Sequence, residues 1–446
     1  MWLISLLILC VLFIVFSTTK LKLHPFVSLL LAALAFGLLS GMPLSTINES
    51  IVDGFGTTIG YIGIVIVAGT IIGTFLQESG GAFAMANTIL KVTGKKNVPM
   101  AMGIIGYVVS VPVFCDSGFV LLSPLNKALS KKAGITLAAS AIALSLGLYA
   151  THTMVPPTPG PIAATAILNA DIGQVILLGL MVSIPALVIG WLFAVKVGSR
   201  IDIDPEPDLS EADIQARISE APSAPKAFLP IVLPIILIVL RSIADFPTKP
   251  FGEGSLQEVI GFVGHPVIAL LVGVLIAFTL PRRFDKQMLS SSGWIGQALA
   301  SGAIIILITG AGGAFGKILQ NSGIADILGE NLAGAKLGIW LPFFLAAAIK
   351  SAQGSSTVAI ITAASLLAPL LEPLGFDSGL GKALTVVAIG AGSMVVSHAN
   401  DSYFWIVTQL SNMDVKTGYR LQTVGTLVVG LAAAVIVWVI SLVWTP

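Results

Sequence analysis

Charge is what this sequence has least of. Only 10% of its 446 residues are Asp, Glu, Lys or Arg and 56% are hydrophobic, whereas about a quarter of a soluble domain is charged. The formal net charge of +1 says nothing about nucleic acid or acidic partners, because Lys and Arg sort by side of the membrane. Cysteine is nearly absent too. Cys10 and Cys115 lie far apart in apolar segments with no CxxC spacing, which excludes a disulfide framework or a structural metal cluster. No GxSxG elbow and no HExxH occur, so an intramembrane hydrolase with a Ser or Cys nucleophile and His152 or His398 is a remote alternative. A single long hydrophilic segment exists, Ser199 to Ala227. Met1 to Phe16 lacks the basic n-region and cleavage site of a signal peptide and reads as a first spanning helix.

The fold class is therefore an all-α polytopic membrane protein, with no cofactor, no metal and no nucleic-acid partner expected. Apolar runs place crossings near 2–18, 25–41, 57–77, 134–168 (interrupted), 175–195, 228–244, 263–280, 294–318, 383–411 (interrupted) and 421–443. Two stretches do not fit this scheme. Lys91, Lys95 and Lys96 precede Pro99 to Leu125, and Lys127, Lys131 and Lys132 follow it. Both clusters belong on the cytoplasmic side, yet the 27 residues between them fall short of the roughly 40 that two crossings need. The stretch 99–125 is thus a re-entrant hairpin whose tip is Val113 to Gly118. A second hairpin, 341–371, carries a polar centre from Lys350 to Thr357.

With both termini outside, seventeen of the 23 Lys and Arg residues are cytoplasmic. Lys249, Lys317, Lys336 and Lys382 fall outside, and Arg241 and Lys350 at membrane depth; the reverse orientation inverts that ratio. The hydrophilic segment then divides the chain into a half at 1–198, a cytoplasmic linker at 199–227 and a half at 228–446. The halves share a pattern: Gly69-x3-Gly73-x2-Leu76-Gln77-Glu78-Ser79-Gly80 against Gly312-x3-Gly316-x2-Leu319-Gln320-Asn321-Ser322-Gly323, an offset of 312 − 69 = 243. They start on opposite sides of the membrane, so the repeat is inverted, as in secondary transporters with a midplane site. Close helix packing accounts for the GxxxG spacings alone, but not for the shared tail.

Polar groups concentrate at four places. At the first hairpin tip, Asp116, Ser117 and Gly118 open a helix whose free N–H groups suit an anion; Asp116 is a candidate for the coupling proton, since burial disfavours a charged carboxylate, or else a structural cap. Thr151 to Pro161 holds four prolines in eleven residues, which break the helix and free its carbonyls. His152 there is an ionisable group at bilayer depth, or else bonds a freed carbonyl. In the second hairpin, Gln353, Gly354, Ser355, Ser356 and Thr357 offer an amide, hydroxyls and another helix N-terminus. Lys350 could meet a substrate carboxylate, but its long stem favours snorkelling to the outer surface. Ser393 to Ser402 interrupts the crossing 383–411, with His398 and Asp401 as a titratable pair. His24 and His265 look structural.

These segments resemble the gluconate permease family of bacterial inner-membrane symporters. The resemblance rests on Glu78-Ser79-Gly80-Gly81-Ala82, Gly118-Phe119-Val120-Leu121, Val155-Pro156-Pro157-x-Pro159-Gly160-Pro161, Gly312-Gly313-Ala314-Phe315, Gly354-Ser355-x-Thr357-Val358-Ala359 and Ser397-His398-x-Asn400-Asp401. It implies an ion-transporter-superfamily fold with a scaffold domain, a mobile transport domain, elevator-like motion and a homodimer. Cys115-Asp116-Ser117 stands where gluconate-type members carry Tyr-Glu, and Thr158 where many carry His. A shorter acid on a thiol-lined tip implies a changed pocket or proton site.

The functional expectation is proton-coupled import of a small sugar acid or hydroxy-carboxylate across the inner membrane. Its carboxylate would rest near Ser117, Gly118, Gly354, Ser355 and Ser356, and its hydroxyls on Thr153, Thr158, Thr357 and Asn400. Asp116, His152 and Asp401, then His398, are the candidates for proton coupling. Sodium coupling is the alternative, because unwound carbonyls also bind Na⁺; a passive channel is a third reading, which matched broken helices disfavour.

Overall fold

The computed structural model describes residues 2–93, 97–205, 219–245, 250–324, 337–398 and 401–443. Lys95, Lys96, Lys249, Lys336 and Asn400 lie outside them, and so does the side chain of Gln353.

Every regular element among the described residues is helical. In the first half these are α1 Trp2–Thr19, α2 Pro25–Leu39, α3 Leu44–Glu78, α4 Gly81–Thr93, α5 Val98–Val109, α6 Cys115–Ala133, α7 Leu137–Met154, α8 Pro159–Ile167 and α9 Ile172–Lys196. The second half follows with α10 Ala224–Ala244, α11 Ser255–Val263, α12 Pro266–Ala277, α13 Trp294–Asn321, α14 Trp340–Gln353, α15 Ser356–Leu367, α16 Gly379–Ser393, α17 Ser402–Leu410 and α18 Val424–Val443.

Local chemistry sets the boundaries. Thr136, Asp171, Ser355, Ser378 and Asp401 each cap a helix by accepting a backbone N–H with the side chain. His24 and His265 do the same through Nδ1, each followed by a Pro that opens its helix. Gly134 and Gly354, at φ +65° and +90°, stop α6 and α14 in the left-handed conformation that glycine adopts without strain.

Among the described residues five helices are long and apolar enough to cross a membrane, or seven if the two bent pairs count as single spans. One bent pair is α3, kinked by 43° near Gly63, and the other is α11 with α12, at 62°. Ten crossings were expected. The difference lies in α1, α2 and α16, which are apolar but shorter. Two further departures have clear causes. The crossing expected near 57–77 is the C-terminal part of α3, which starts at Leu44 because exposed Glu49 and Asp53 continue the helix without continuing the apolar run. Helices α4 and α11 were not anticipated: α4 is short, and α11 buries none of its residues.

Apolar side chains recur at i, i+4 on the outside, as with Ile184, Val188 and Leu192 on α9 and Val435 and Val439 on α18. Such stripes suit lipid. Helix α7 is the opposite, buried along all of Leu137–Met154. Around it pack α5, α6, α9, α16 and α18. Close approach on α7 depends on Gly147, where a Cβ would lie 2.1 Å from Gly103 O on α5.

Candidate functional site

Beside α7 both hairpins and both breaks converge. The first hairpin turns over 110–114 and re-enters as α6, with Asp116 in its first turn. The second turns at Gly354 and Ser355 before α15. The Pro-rich break separates α7 from α8, and the break before α17 ends at Asp401. A cavity of about 250 Å³ opens between them, lined by Phe114, Cys115, Asp116, Tyr149, His152, Gly354, Ser355, Ser356, Thr357, Asp401, Ser402 and Tyr403.

Three helices, α6, α15 and α17, present their N-termini to this space. At each, the leading N–H groups lack intrahelical acceptors and carry the positive end of the helix dipole. At α6 the first intrahelical bond runs from Gly118 N–H to Phe114 O. At α15 the cap Ser355 takes the N–H of Val358, so by position the amides of Ser356 and Thr357 are left towards the cavity. The N-terminus of α17 already holds an anion, because Asp401 Oδ1 accepts from Tyr403 N–H at 3.0 Å.

Lys350, which does not itself border the cavity, supplies a fourth positive element behind the lining residues Gly354 and Asp401. Its side chain has no exposure, and Nζ donates to Asp401 Oδ2 at 2.6 Å and to the carbonyl of Gly354. The Tyr149 ring lies 5.9 Å below the ammonium. Snorkelling to the outer surface is thereby overturned: Asp401 and a turn carbonyl, both within reach of the four-carbon stem, replace the hydration that the head group would have sought. Ser397 Oγ donates to the same Asp401 oxygen at 2.6 Å.

Several cavity groups have unused hydrogen-bonding capacity. Asp116 Oδ1 and His152 Nδ1 have no hydrogen-bond partner among the described residues. The Tyr149 hydroxyl likewise closes no hydrogen bond among the described residues. Buried polar atoms are rarely left so in a filled site. Aromatic rings wall the space: Tyr149 stands 5.0 Å from Tyr403 and stacks with His152 at 6.4 Å, while Phe114 lies 6.1 Å from His152.

Of the residues singled out in the sequence, Asp116, His152, Gly354, Ser355, Ser356, Thr357 and Asp401 border the cavity. Others do not. Thr153 and Thr158 spend their hydroxyls on the carbonyls of Tyr149 and Val155, and Thr158 borders a separate narrow cleft with His152 and Phe114. Gly118 packs against Leu148, whose Cδ2 a Cβ would meet at 2.6 Å. Ser117 is half-buried and off the cavity. His398 Nε2 sits 2.8 Å from Ser351 O and ties the second break to α14. Sequence reading missed Tyr149 and Tyr403; the sole available signal was that both lie within three residues of a histidine or an aspartate at a break. Among the described residues no three His, Cys, Asp or Glu side chains gather to hold a metal.

Comparison with known proteins agrees with this architecture. The profile described as GntP family permease matches residues 1–443. The chain is 36% identical over 432 residues to the gluconate permease of Pseudomonas aeruginosa, covering 95% of this chain and 94% of that one. It is 34% identical over 437 residues to the D-serine transporter of Escherichia coli, covering 97% and 96%. Among solved structures, the YdaH transporter of Alcanivorax borkumensis matches with a TM-score of 0.66 at 17% identity, over 95% of this chain and 99% of that one. MtrF of Neisseria gonorrhoeae gives 0.65 at 13%, over 95% and 96%. These two speak for the fold alone. Matched over nearly its whole length, and by relatives above 30% identity, the chain belongs to the GntP family of permeases.

Proposed function

We propose that this multi-pass inner-membrane permease imports a small sugar acid or hydroxy-carboxylate together with protons. One observation carries the reading: the N-termini of α6, α15 and α17 face one cavity, and the buried Lys350–Asp401 pair meets it through Asp401. That is a receptor for a carboxylate. At about 250 Å³ it lies just under the roughly 300–1,000 Å³ of drug-sized sites, a fit for an acid of a few carbons. Ser355, Ser356, Thr357 and Tyr149 provide hydroxyls for the substrate's own. Relatives named for gluconate and for D-serine have substrates with a carboxylate and a hydroxyl in common, and those are the two chemistries of this cavity.

Alternating access through inverted halves is part of the proposal. Besides the pattern repeated at an offset of 243, His24-Pro25 and His265-Pro266 open α2 and α12 with the same Nδ1 cap. Helices α3 and α13 pack reciprocally: Gly313 meets Thr58 and Gly54, and Gly302 meets Thr70 and Ile66. With the offset of 243 those two contact sets exchange approximately under a two-fold operation. Halves at 1–198 and 228–446, a scaffold around α3 and α13, a moving part bearing both hairpins, and a homodimer complete the reading.

Uptake of labelled gluconate into proteoliposomes of the full chain tests it. Concentrative uptake driven by an inward proton gradient, abolished by a protonophore and reduced in Asp116→Asn, is the expected result. Uptake that ignores the proton gradient and Asp116→Asn but follows Na⁺ over K⁺ overturns proton coupling; absence of saturable uptake of any aldonate or hydroxy acid overturns the substrate class.

A further inference from the structure

The cation behind the cavity wall is already neutralised, and only its partner Asp401 borders the cavity. Lys350 and Asp401 form a pair with side-chain exposures of 0% and 6%, and an incoming anion finds no free positive charge unless that pair opens. Asp401 is built to survive the opening. Its Oδ1 stays on Tyr403 N–H at the start of α17, and Ser397 Oγ, now a donor to Oδ2, can rotate to accept from a protonated acid.

Resting on the reading of this cavity as a carboxylate site, we propose that Lys350 is the substrate's carboxylate receptor and Asp401 its internal stand-in, displaced and protonated when a monoanion binds. The substrate carboxylate replaces Asp401 Oδ2 on Lys350 Nζ, and Asp401 takes one proton from the aqueous mouth of the cavity. No covalent bond other than that O–H changes. The pair begins as one cation and one anion; it ends as one cation, one bound anion and one neutral acid. Charge in the low-dielectric site is the same before and after, which is what makes loading affordable. One anion and one proton therefore enter as a unit, and an anion without its proton leaves two negative charges against one ammonium.

The other groups around the pair play different parts. From α6, Asp116 leaves Oδ1 without a hydrogen-bond partner, and it forms no ion pair with Lys350, so an anion docking on Nζ does not displace it; Cys115 beside it is a buried thiol. From α7, Tyr149 lies under the ammonium and His152 stacks on Tyr149. From α17, Tyr403 donates its hydroxyl to Ser145 O. His398 is held at Ser351 O. A selectivity follows: monocarboxylates load as neutral units, whereas dicarboxylates leave one charge uncompensated and are disfavoured, gluconate over glucarate.

Titration calorimetry with gluconate on the purified full chain, in buffers of different ionisation enthalpy, counts the protons taken up. The wild type is expected to take up about one proton per gluconate, its affinity falling about tenfold for each unit rise in pH wherever that uptake is one. Asp401→Asn, which keeps the Oδ1 cap, should bind gluconate with no proton uptake and no such slope; Lys350→Gln should lose binding at every pH. Infrared difference spectra of the wild type should gain a protonated-carboxyl band on gluconate addition, altered in Asp401→Glu, a readout that holds even if the Asn variant does not fold. Proton uptake that persists in Asp401→Asn, or gluconate binding undiminished in Lys350→Gln, overturns this exchange while leaving the transport reading intact. A wild type that binds no aldonate or hydroxy acid overturns both.

Discussion

A lysine shut away from water holds its charge only against a partner, and Asp401 at 2.6 Å is that partner. Removing one member of a buried pair costs far more than the pair contributes, because the remaining charge stays desolvated. Lys350→Met is thus expected to lower stability by about 3–5 kcal/mol, and Lys350→Met combined with Asp401→Asn to recover most of it, as read by thermal unfolding in detergent. Neither variant should transport. A double variant no more stable than the single one would show that the two side chains do not depend on each other. Asp116, His152 and Asp401 were visible in the sequence because an ionisable group in an apolar run has few innocent explanations. Tyr149 and Tyr403 were not, since an aromatic in an apolar helix looks like core. The direction of Lys350 is not legible in the sequence: its stem reaches either the outer surface or the interior, and the choice falls to Asp401, 51 positions away.

At the scale of elements, the first hairpin could be read from arithmetic, too few apolar residues between two basic clusters, the second from the polar centre of a compact apolar stretch, and the breaks from proline and polar density. Helices α4 and α11 escaped because neither is long enough to carry a crossing signal, and α11, with nothing buried, has no stripe that packing would demand. The left-handed Val396, at φ +58° inside the second break, was equally invisible; a β-branched residue there is strained, and only the surrounding tertiary structure imposes it. What holds hairpin to helix is close backbone approach. Gly147→Ala would put a methyl 2.1 Å from Gly103 O, and because that neighbour is backbone it cannot step aside, so a loss of about 1–3 kcal/mol is expected. Gly56→Ala on α3 meets nothing within 4 Å and should be neutral or stabilising by up to about 1 kcal/mol. Thermal unfolding of the two variants side by side checks this; equal effects would mean that α5 and α7 are not in tight contact.

For the whole molecule, the proposed transport cycle requires the cavity to open to each side in turn, and the chain contains its own reporter. Cys115 lines the cavity at 3% exposure, while Cys10 is buried between α1 and α2, near Ala32 O. In a Cys10→Ala background, a small membrane-impermeant methanethiosulfonate therefore reports on Cys115 alone. If the cavity exchanges between faces, the thiol reacts slowly in right-side-out and in inside-out vesicles alike, since each face sees it for part of the cycle. Gluconate occupying the cavity should slow both reactions by about tenfold when it is held at roughly ten times its dissociation constant. A fixed pore gives fast labelling that gluconate does not slow. A cavity facing one side permanently gives labelling from that side only, and this outcome would remove alternating access even if gluconate binds.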